Sequence, residues 1–405
     1  MMELFLLEHK KLWRKMSTKI SVFLCFTYLV VFGSILSFQW FSLGTLGGYS
    51  TGFGNNFDGY SAIRNRQEYA RSFEGELNDD TLQRLVQDYQ RINAAGMEDD
   101  CAKTDYRIIN NWISTLWPEL EDKGRIYEIM IDYVTPEKLT GFYERRQRVL
   151  KEFLENNNQT GKEKEYLLRM NENVKTPFQY QWTQGWSILL GTTVAEMGIV
   201  MALFIAIALS TLFAGEWHNN TGSLVLTTKN GWREIAFAKI LTGLAFAAEL
   251  SVLLAIGNIV SQIFFMGTVG WDMPIQTIKL IAVAPMNMLQ AEIYEYAFVL
   301  LGAVGFAGIV LLISAAVKNN VLALILSLAV AYAPMMIEQY LPFEAQKALE
   351  LIPLVGSPED IFRTNTFHIF GKYIWSPYLL ITVPVLIGVL CIPLAVKGWS
   401  RRLKV

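Results

Sequence analysis

Charge is what this chain has least of. Asp, Glu, Lys and Arg make up only 18% of its 405 residues, against 52% apolar, where a soluble chain carries about a quarter charged. The scarcity is local. Of the 72 charged side chains, 41 fall in residues 42–185, so the remainder reads as bilayer-embedded. The net charge of −2 averages two unlike regions, since 42–185 alone holds 23 acids against 18 bases. Cysteine is scarce too. Cys25 and Cys391 lie inside apolar runs and Cys101 stands alone in the polar region, which excludes a disulfide framework. The three histidines, at 9, 218 and 368, are scattered. No H-E-x-x-H, paired C-x-x-C or G-x-S-x-G occurs, so an ordinary zinc, redox or hydrolytic enzyme is not supported. No GxxxxGK[ST] occurs either, and the chain has no cradle of its own for nucleotide phosphates. The glycine-rich stretch 42–60 lacks the Lys-Ser/Thr that would complete such a loop and reads as a connector. The apolar run after Lys19 is too long for a signal peptide and has no A-x-A site before Trp40.

What is present is a series of apolar windows. Runs near 20–41, 187–214, 235–265, 292–317, 320–341 and 376–397 are each long enough for a helix across a hydrocarbon core of about 30 Å. The stretch 274–290 is apolar but short and broken by Pro285, and reads as interfacial or re-entrant. Basic residues orient the spans. Lys10, Lys11, Arg14, Lys15 and Lys19 precede the first, and Lys397, Arg401, Arg402 and Lys404 follow the last. Both termini are therefore expected in the cytoplasm. Trp182, Trp186 and Trp375 mark the outer edge, and Trp217, Trp232 and Trp399 the inner one. Residues 1–19 place Leu4, Phe5, Leu7 and Leu12 on one stripe with a cationic rim, as in a helix lying on the inner leaflet.

Residues 42–186 are too long for a loop. Leu82, Leu85, Val86, Tyr89 and Ile92 recur at helical spacing, with Asp79 or Asp80 as the cap and Gly96 as the stop. Thr135-Pro136-Glu137 predicts the start of a second helix, whose core face includes Leu139, Phe142, Leu150 and Leu154. Tyr106, Ile109, Ile113 and Leu116 predict a third, ended by Pro118. The expected fold class is thus an all-α polytopic membrane protein. Six transmembrane helices are expected, with an inserted, mainly helical extracytoplasmic domain.

Two acids fall deep inside spans. Glu196 lies about 13 Å from the outer end of the second, and Glu249 about 18 Å from the inner end of the third, at 1.5 Å per residue. A carboxylate at such depth is costly unless neutral, paired or facing water, so the two are either a structural clasp or pathway residues. Glu292, Glu295 and Glu338 read as interfacial. Gly302, Gly305 and Gly308 permit close helix approach, within the bundle or at a dimer seam.

Between the second and third spans lies FAGEWHNNTGSLVLTTKNGWREIAFAKI, residues 213–240. This segment resembles the coupling region of the membrane permeases of type-2 ABC exporters. In that family a glutamate follows the second span, and a short cytoplasmic helix carries a glycine and an apolar run. A turn and basic residues then lead into the third span. The resemblance matches Glu216, then Gly222, then Leu224 and Leu226 of the apolar run. It continues through Lys229 in the turn to the bases Arg233 and Lys239, with the coupling loop at 215–234. It extends over residues 1–41 and 187–405 through six spans and an amphipathic N-terminal helix; the domain at 42–186 goes beyond the minimal plan. It implies a non-enzymatic transport subunit with no cofactor of its own, ATP and Mg acting through a partner. The implied partners are two copies of an ABC ATPase, a second permease copy or paralogue, and the lipid bilayer, but no nucleic acid. The runner-up reading is a membrane sensor or immunity protein whose outer domain captures a peptide.

Overall fold

The computed structural model describes residues 1–36, 60–96, 106–125, 128–190, 194–218 and 231–402. The chain opens with helix α1 (Met2–Arg14), which ends where Lys15 turns to extended backbone. Helix α2 (Met16–Phe26) follows and runs on as a π-helical stretch over Thr27–Leu36. The rest of the expected first span, up to residue 41, lies outside the described residues, as does Cys101.

Among the described residues, the inserted domain is built from six α-helices and one pair of short strands. These are α3 (Tyr60–Arg71), β1 (Gly75–Leu77), α4 (Asp79–Ala94), α5 (Tyr106–Leu116), α6 (Met130–Tyr133), α7 (Phe142–Asn156), α8 (Gly161–Glu172) and β2 (Phe178–Tyr180). Strands β1 and β2 pair antiparallel and tie the two flanks of the domain together. The predicted faces pack as expected: Leu82, Leu85, Val86, Tyr89 and Ile92 of α4 are buried with Ile109, Ile113 and Leu116 of α5 in one core.

Two boundary expectations change. The cap of α4 is Asn78, whose side chain accepts from the Thr81 amide at 2.9 Å. Asp79 instead accepts from the amides of Gly141 (2.7 Å) and Phe142 (3.0 Å), and so caps α7 across the domain. Thr135-Pro136-Glu137 begins only a single 3₁₀ turn, Pro136–Lys138. The long helix waits until Phe142, because Gly141 takes the left-handed conformation (φ 74°) just before it.

After short α9 (Gln184–Ile188) come α10 (Val194–Leu209), α11 (Thr211–His218), α12 (Gly231–Phe265), α13 (Met288–Ala316) and α14 (Asn320–Ile337). Helix α15 (Phe343–Glu350), the hairpin β3 (Thr366–Ile369) and β4 (Lys372–Trp375), and α16 (Ser376–Arg402) complete the chain. Helix starts have visible causes. Asn287 and Gln290 form a reciprocal capping box on α13, and Asn319 accepts from two amides at the start of α14. Among the described residues, five helical stretches are long and apolar enough to cross a membrane: Met197–Trp217, Trp232–Phe265, Met288–Ala316, Asn320–Tyr340 and Ser376–Ser400. Met16–Val31 is apolar but shorter. This is the make-up of an all-α polytopic membrane protein.

The small residues of α13 face the bundle interior. A Cβ on Gly305 would stand 2.4 Å from the carbonyl oxygen of Pro384 in α16, and one on Gly308 would stand 2.9 Å from the Cα of Gly388. Backbone meets backbone here, and α13 and α16 form the most extensive helix pair. Gly305→Val forces the two helices apart, so a loss of about 1–3 kcal/mol or more is expected. Thermal unfolding in detergent measures it; a variant as stable as the parent would refute this packing.

The segment between α12 and α13 is mostly irregular, with one 3₁₀ turn at Ile275–Thr277. It is the seat on which the inserted domain rests. Trp112 Nε1 donates to the Thr277 carbonyl at 2.9 Å, and buried Arg146 donates to the carbonyls of Leu280 (2.8 Å) and Ala282 (3.1 Å). Four of the tryptophans expected along the membrane edges are packed inside the protein. Trp182, Trp186, Trp375 and Trp399 are all buried. The indole N–H of Trp186 reaches the Val269 carbonyl and that of Trp375 the Arg363 carbonyl, so protein rather than an interface satisfies them.

Candidate functional site

Helix α1 lies across the start of α12 and brings together charges far apart in sequence. The Lys239 ammonium is 2.7 Å from Glu8 Oε2 and 3.0 Å from Glu216 Oε1. Lys11 closes the ring, 2.8 Å from Glu216 and 3.7 Å from Glu8. Two carboxylates and two ammoniums thus alternate around one site. Lys239 is only 1% exposed, with Glu8 at 17% and Glu216 at 11%. A side-chain ammonium this deeply buried needs opposite charge beside it, and two carboxylates face it here. For Lys11, burial acts to lower the pKa, but the hydrogen bond to Glu216 and the charges of Glu8 and Glu216 outweigh it and raise it. Lys15, next along, donates to Thr211 Oγ1 at 3.0 Å; burial and the positive charges of Lys239 and Lys11 lower its pKa. The ring therefore pins α1 to α11 and α12, the two helices that flank residues 219–230.

Glu249 belongs to the same junction. His9 Nε2 lies 3.2 Å from its Oε1, and Trp13 Nε1 donates to Oε2 at 3.1 Å. The Trp13 ring packs edge-on against Phe246. Glu249 thus points into the groove under α1, 45% exposed, and its polar partners come from the N-terminal helix. Its suggested neighbour Glu196 falls in α10 with its side chain outside the described residues. Gly222, Leu224, Leu226 and Lys229 also lie outside the described residues. Of the remaining residues singled out in the loop, Glu216 and Lys239 are tied into the ring. Arg233 is exposed, with its guanidinium 5.0 Å from the Trp232 ring centre. Period and hydropathy flagged α1 as an interfacial helix with apolar contacts. Its charged contacts at Glu8 and Lys11 had no local signal, because their partners lie over two hundred positions away.

A second polar group sits at the opposite end of the bundle, near the inserted domain. Glu295 of α13 is fully buried and Glu292 is 4% exposed, so neither is the interfacial residue expected from sequence. Among the described residues, neither Glu295 carboxylate oxygen has a hydrogen-bond partner. Asp360, 1% exposed, lies in the 3₁₀ turn Pro358–Phe362, which packs on α13, and accepts from Asn365 at 3.0 Å. Burial raises the Asp360 pKa, and burial together with Asp360 pushes the Glu350 carboxyl up to about 7. Their helical position offered no hint of this depth: the acids fall in the first turns of a predicted span, where water is the default surrounding. Among the described residues, no group of three or more His, Cys, Asp or Glu side chains is placed to hold a metal ion. Compared with protein-family models, with curated proteins and with solved structures, the chain matches none.

Proposed function

We propose that the chain is the transmembrane permease subunit of an ATP-driven ABC exporter. In this reading it moves a peptide, antibiotic-like or ionic substrate across the cytoplasmic membrane. The first apolar segment serves as a sixth crossing, both termini lie in the cytoplasm, and the inserted domain stands outside. A separate ATPase, in two copies, binds ATP and Mg and presses on the 215–234 loop. The permease works as a pair, with a second copy or a paralogue.

The observation that carries this reading is the buried ring of Lys239, Glu216, Glu8 and Lys11. It joins α1, α11 and α12 into one body around the loop where a partner would dock. A push on Leu224 and Leu226 would then tilt all three helices together rather than bend a slack connector. In this reading exposed Arg233 meets a partner carboxylate, whereas Glu216 and Lys239 hold α1, α11 and α12 together.

The test is co-purification of an ABC ATPase with this chain from its native membrane, followed by transport and ATPase assays in proteoliposomes. Leu224→Asp or Arg233→Glu is expected to lower substrate-stimulated ATP hydrolysis at least tenfold while the protein stays folded. Intact stimulation in both variants, or no co-purifying ATPase, would sink the coupling role. The sensor reading is favoured by one observation, a large cleft beside the inserted domain. Peptide binding with no effect on ATP hydrolysis would support it instead.

A further inference from the structure

A cleft of about 910 Å³ opens between the inserted domain, the 279–281 segment and the stretch from α15 to β3. It lies at the upper end of the size range for small-molecule sites, about 300–1,000 Å³, and is far larger than any single ion needs. Its rim is rich in carboxamides, with Asn111, Asn156 and Asn158 exposed along the inserted-domain side. Each carboxamide offers both donors and an acceptor, the pattern a peptide backbone presents in return. Phe153, Phe343 and Phe362 supply apolar wall.

The charge of the site is one-sided once the layer behind its wall is included. Glu163, Glu344 and Glu359 line the cleft with Lys279, Lys347 and Arg363. Two of those cations are already engaged. Lys347 lies 2.9 Å from Glu344 and donates to the Thr366 carbonyl at 3.1 Å, and Arg363 reaches toward Glu350 and Asp360. Behind Glu359 stand Asp360, Glu350, Glu295 and Glu292. Glu359 and Glu292 both act electrostatically on fully buried Glu295. Among the described residues, seven acidic side chains thus line or back this cleft, against Lys279, Lys347 and Arg363 on its wall and Arg146 behind Leu280. Among the described residues, oxygens of Glu292, Glu295 and Glu350 are buried without a hydrogen-bond partner. Buried acceptors left in this state are costly unless a donor reaches them.

From the cleft, its carboxamide rim and the unpartnered acids behind half-buried Glu359, we infer that it binds a cationic peptide. The peptide backbone lies along Asn111, Asn156 and Asn158, and a lysine or arginine side chain points inward past Glu359 toward Glu295. The inference concerns binding alone. It holds whether or not an ATPase drives the chain, so its failure would leave the transport reading standing.

The experiment is calorimetric titration of the full-length protein in nanodiscs of neutral phosphatidylcholine, with empty discs as the blank. The probe is the blocked tetrapeptide Gly-Lys-Gly-Lys; its comparators replace both lysines by norleucine or by glutamate. The lysyl peptide is expected to bind at least tenfold more tightly than either comparator. Glu359→Gln and Glu295→Gln are each expected to cut that preference at least fivefold, while Lys279→Met leaves it equal or larger. If Glu295→Gln fails to fold, Glu359→Gln at the cleft wall carries the test. Equal affinity for the lysyl and norleucyl peptides, no binding of the lysyl peptide, or an unchanged preference in Glu359→Gln overturns the inference.

Discussion

Replacing Lys239 by methionine is expected to destabilise the protein by about 3–5 kcal/mol, the usual cost of removing one partner from a buried ion pair. The substitution keeps the length and apolar stem of the side chain, so packing changes little. What it removes is a positive charge close to both Glu8 (2.7 Å) and Glu216 (3.0 Å) that is itself only 1% exposed. Lys11 remains beside the two carboxylates, but its own side chain is 54% exposed and water screens much of its effect. The two acids are then left facing each other with half of their compensation gone. Urea unfolding in a mild detergent, followed by tryptophan fluorescence, reads the effect. Adding Glu8→Gln and Glu216→Gln to Lys239→Met is expected to recover much of the loss, because it removes the repulsion along with the attraction. A cost below about 1 kcal/mol in the single variant, or additive costs around the cycle, would show that the ring is not an interacting unit.

Arg146→Leu is expected to loosen the inserted domain from its seat. Arg146 is 2% exposed and rests on the Phe178 ring, 5.4 Å from its centre. Burial lowers its pKa to about 10, partly countered by Tyr143, so it remains a cation at neutral pH. It donates to the carbonyls of Leu280 and Ala282 in the irregular segment between α12 and α13. That segment has no regular ladder to satisfy its backbone, so side chains must supply the donors. Ala282 keeps a second donor in Gln276 at 3.0 Å, which concentrates the damage at Leu280. The stranded carbonyl costs about 1–3 kcal/mol, and loss of a desolvated cation–π contact adds about 2 kcal/mol. Hydrogen exchange distinguishes this from general destabilisation. Amides of 275–287 are expected to exchange at least tenfold faster, while those within α13 and α16 stay protected. Uniform acceleration across the bundle, or none at all, would count against a docking role for Arg146.

Helix-forming stretches were legible wherever one residue's surroundings follow from its close neighbours. The α4 and α5 faces, the stop at Gly96 and the apolar runs of α12, α13, α14 and α16 all follow from periodicity and run length. Misreadings share one cause. Asp79 looked like the cap of its own helix, but caps α7 because the fold brings Gly141 beside it. Glu292 and Glu295 looked interfacial because they begin a span, yet the 358–362 turn covers them. For Glu249 the sequence offered only its distance along α12 and not its partners. Helix α1 supplies its partners from the far end of the chain.

By itself, then, the sequence determined that this is a mostly helical chain with apolar membrane-length segments and a charged helical insertion. Those properties depend on local composition and on a period of 3.6 residues. The tertiary structure alone decided which charges neutralise one another and which stay unpartnered. It also decided that Gly305 and Gly308 serve packing between α13 and α16. The reason is physical: the energy of a buried charge depends on what lies within a few ångströms in space. In this chain those neighbours are separated by up to 236 positions in sequence.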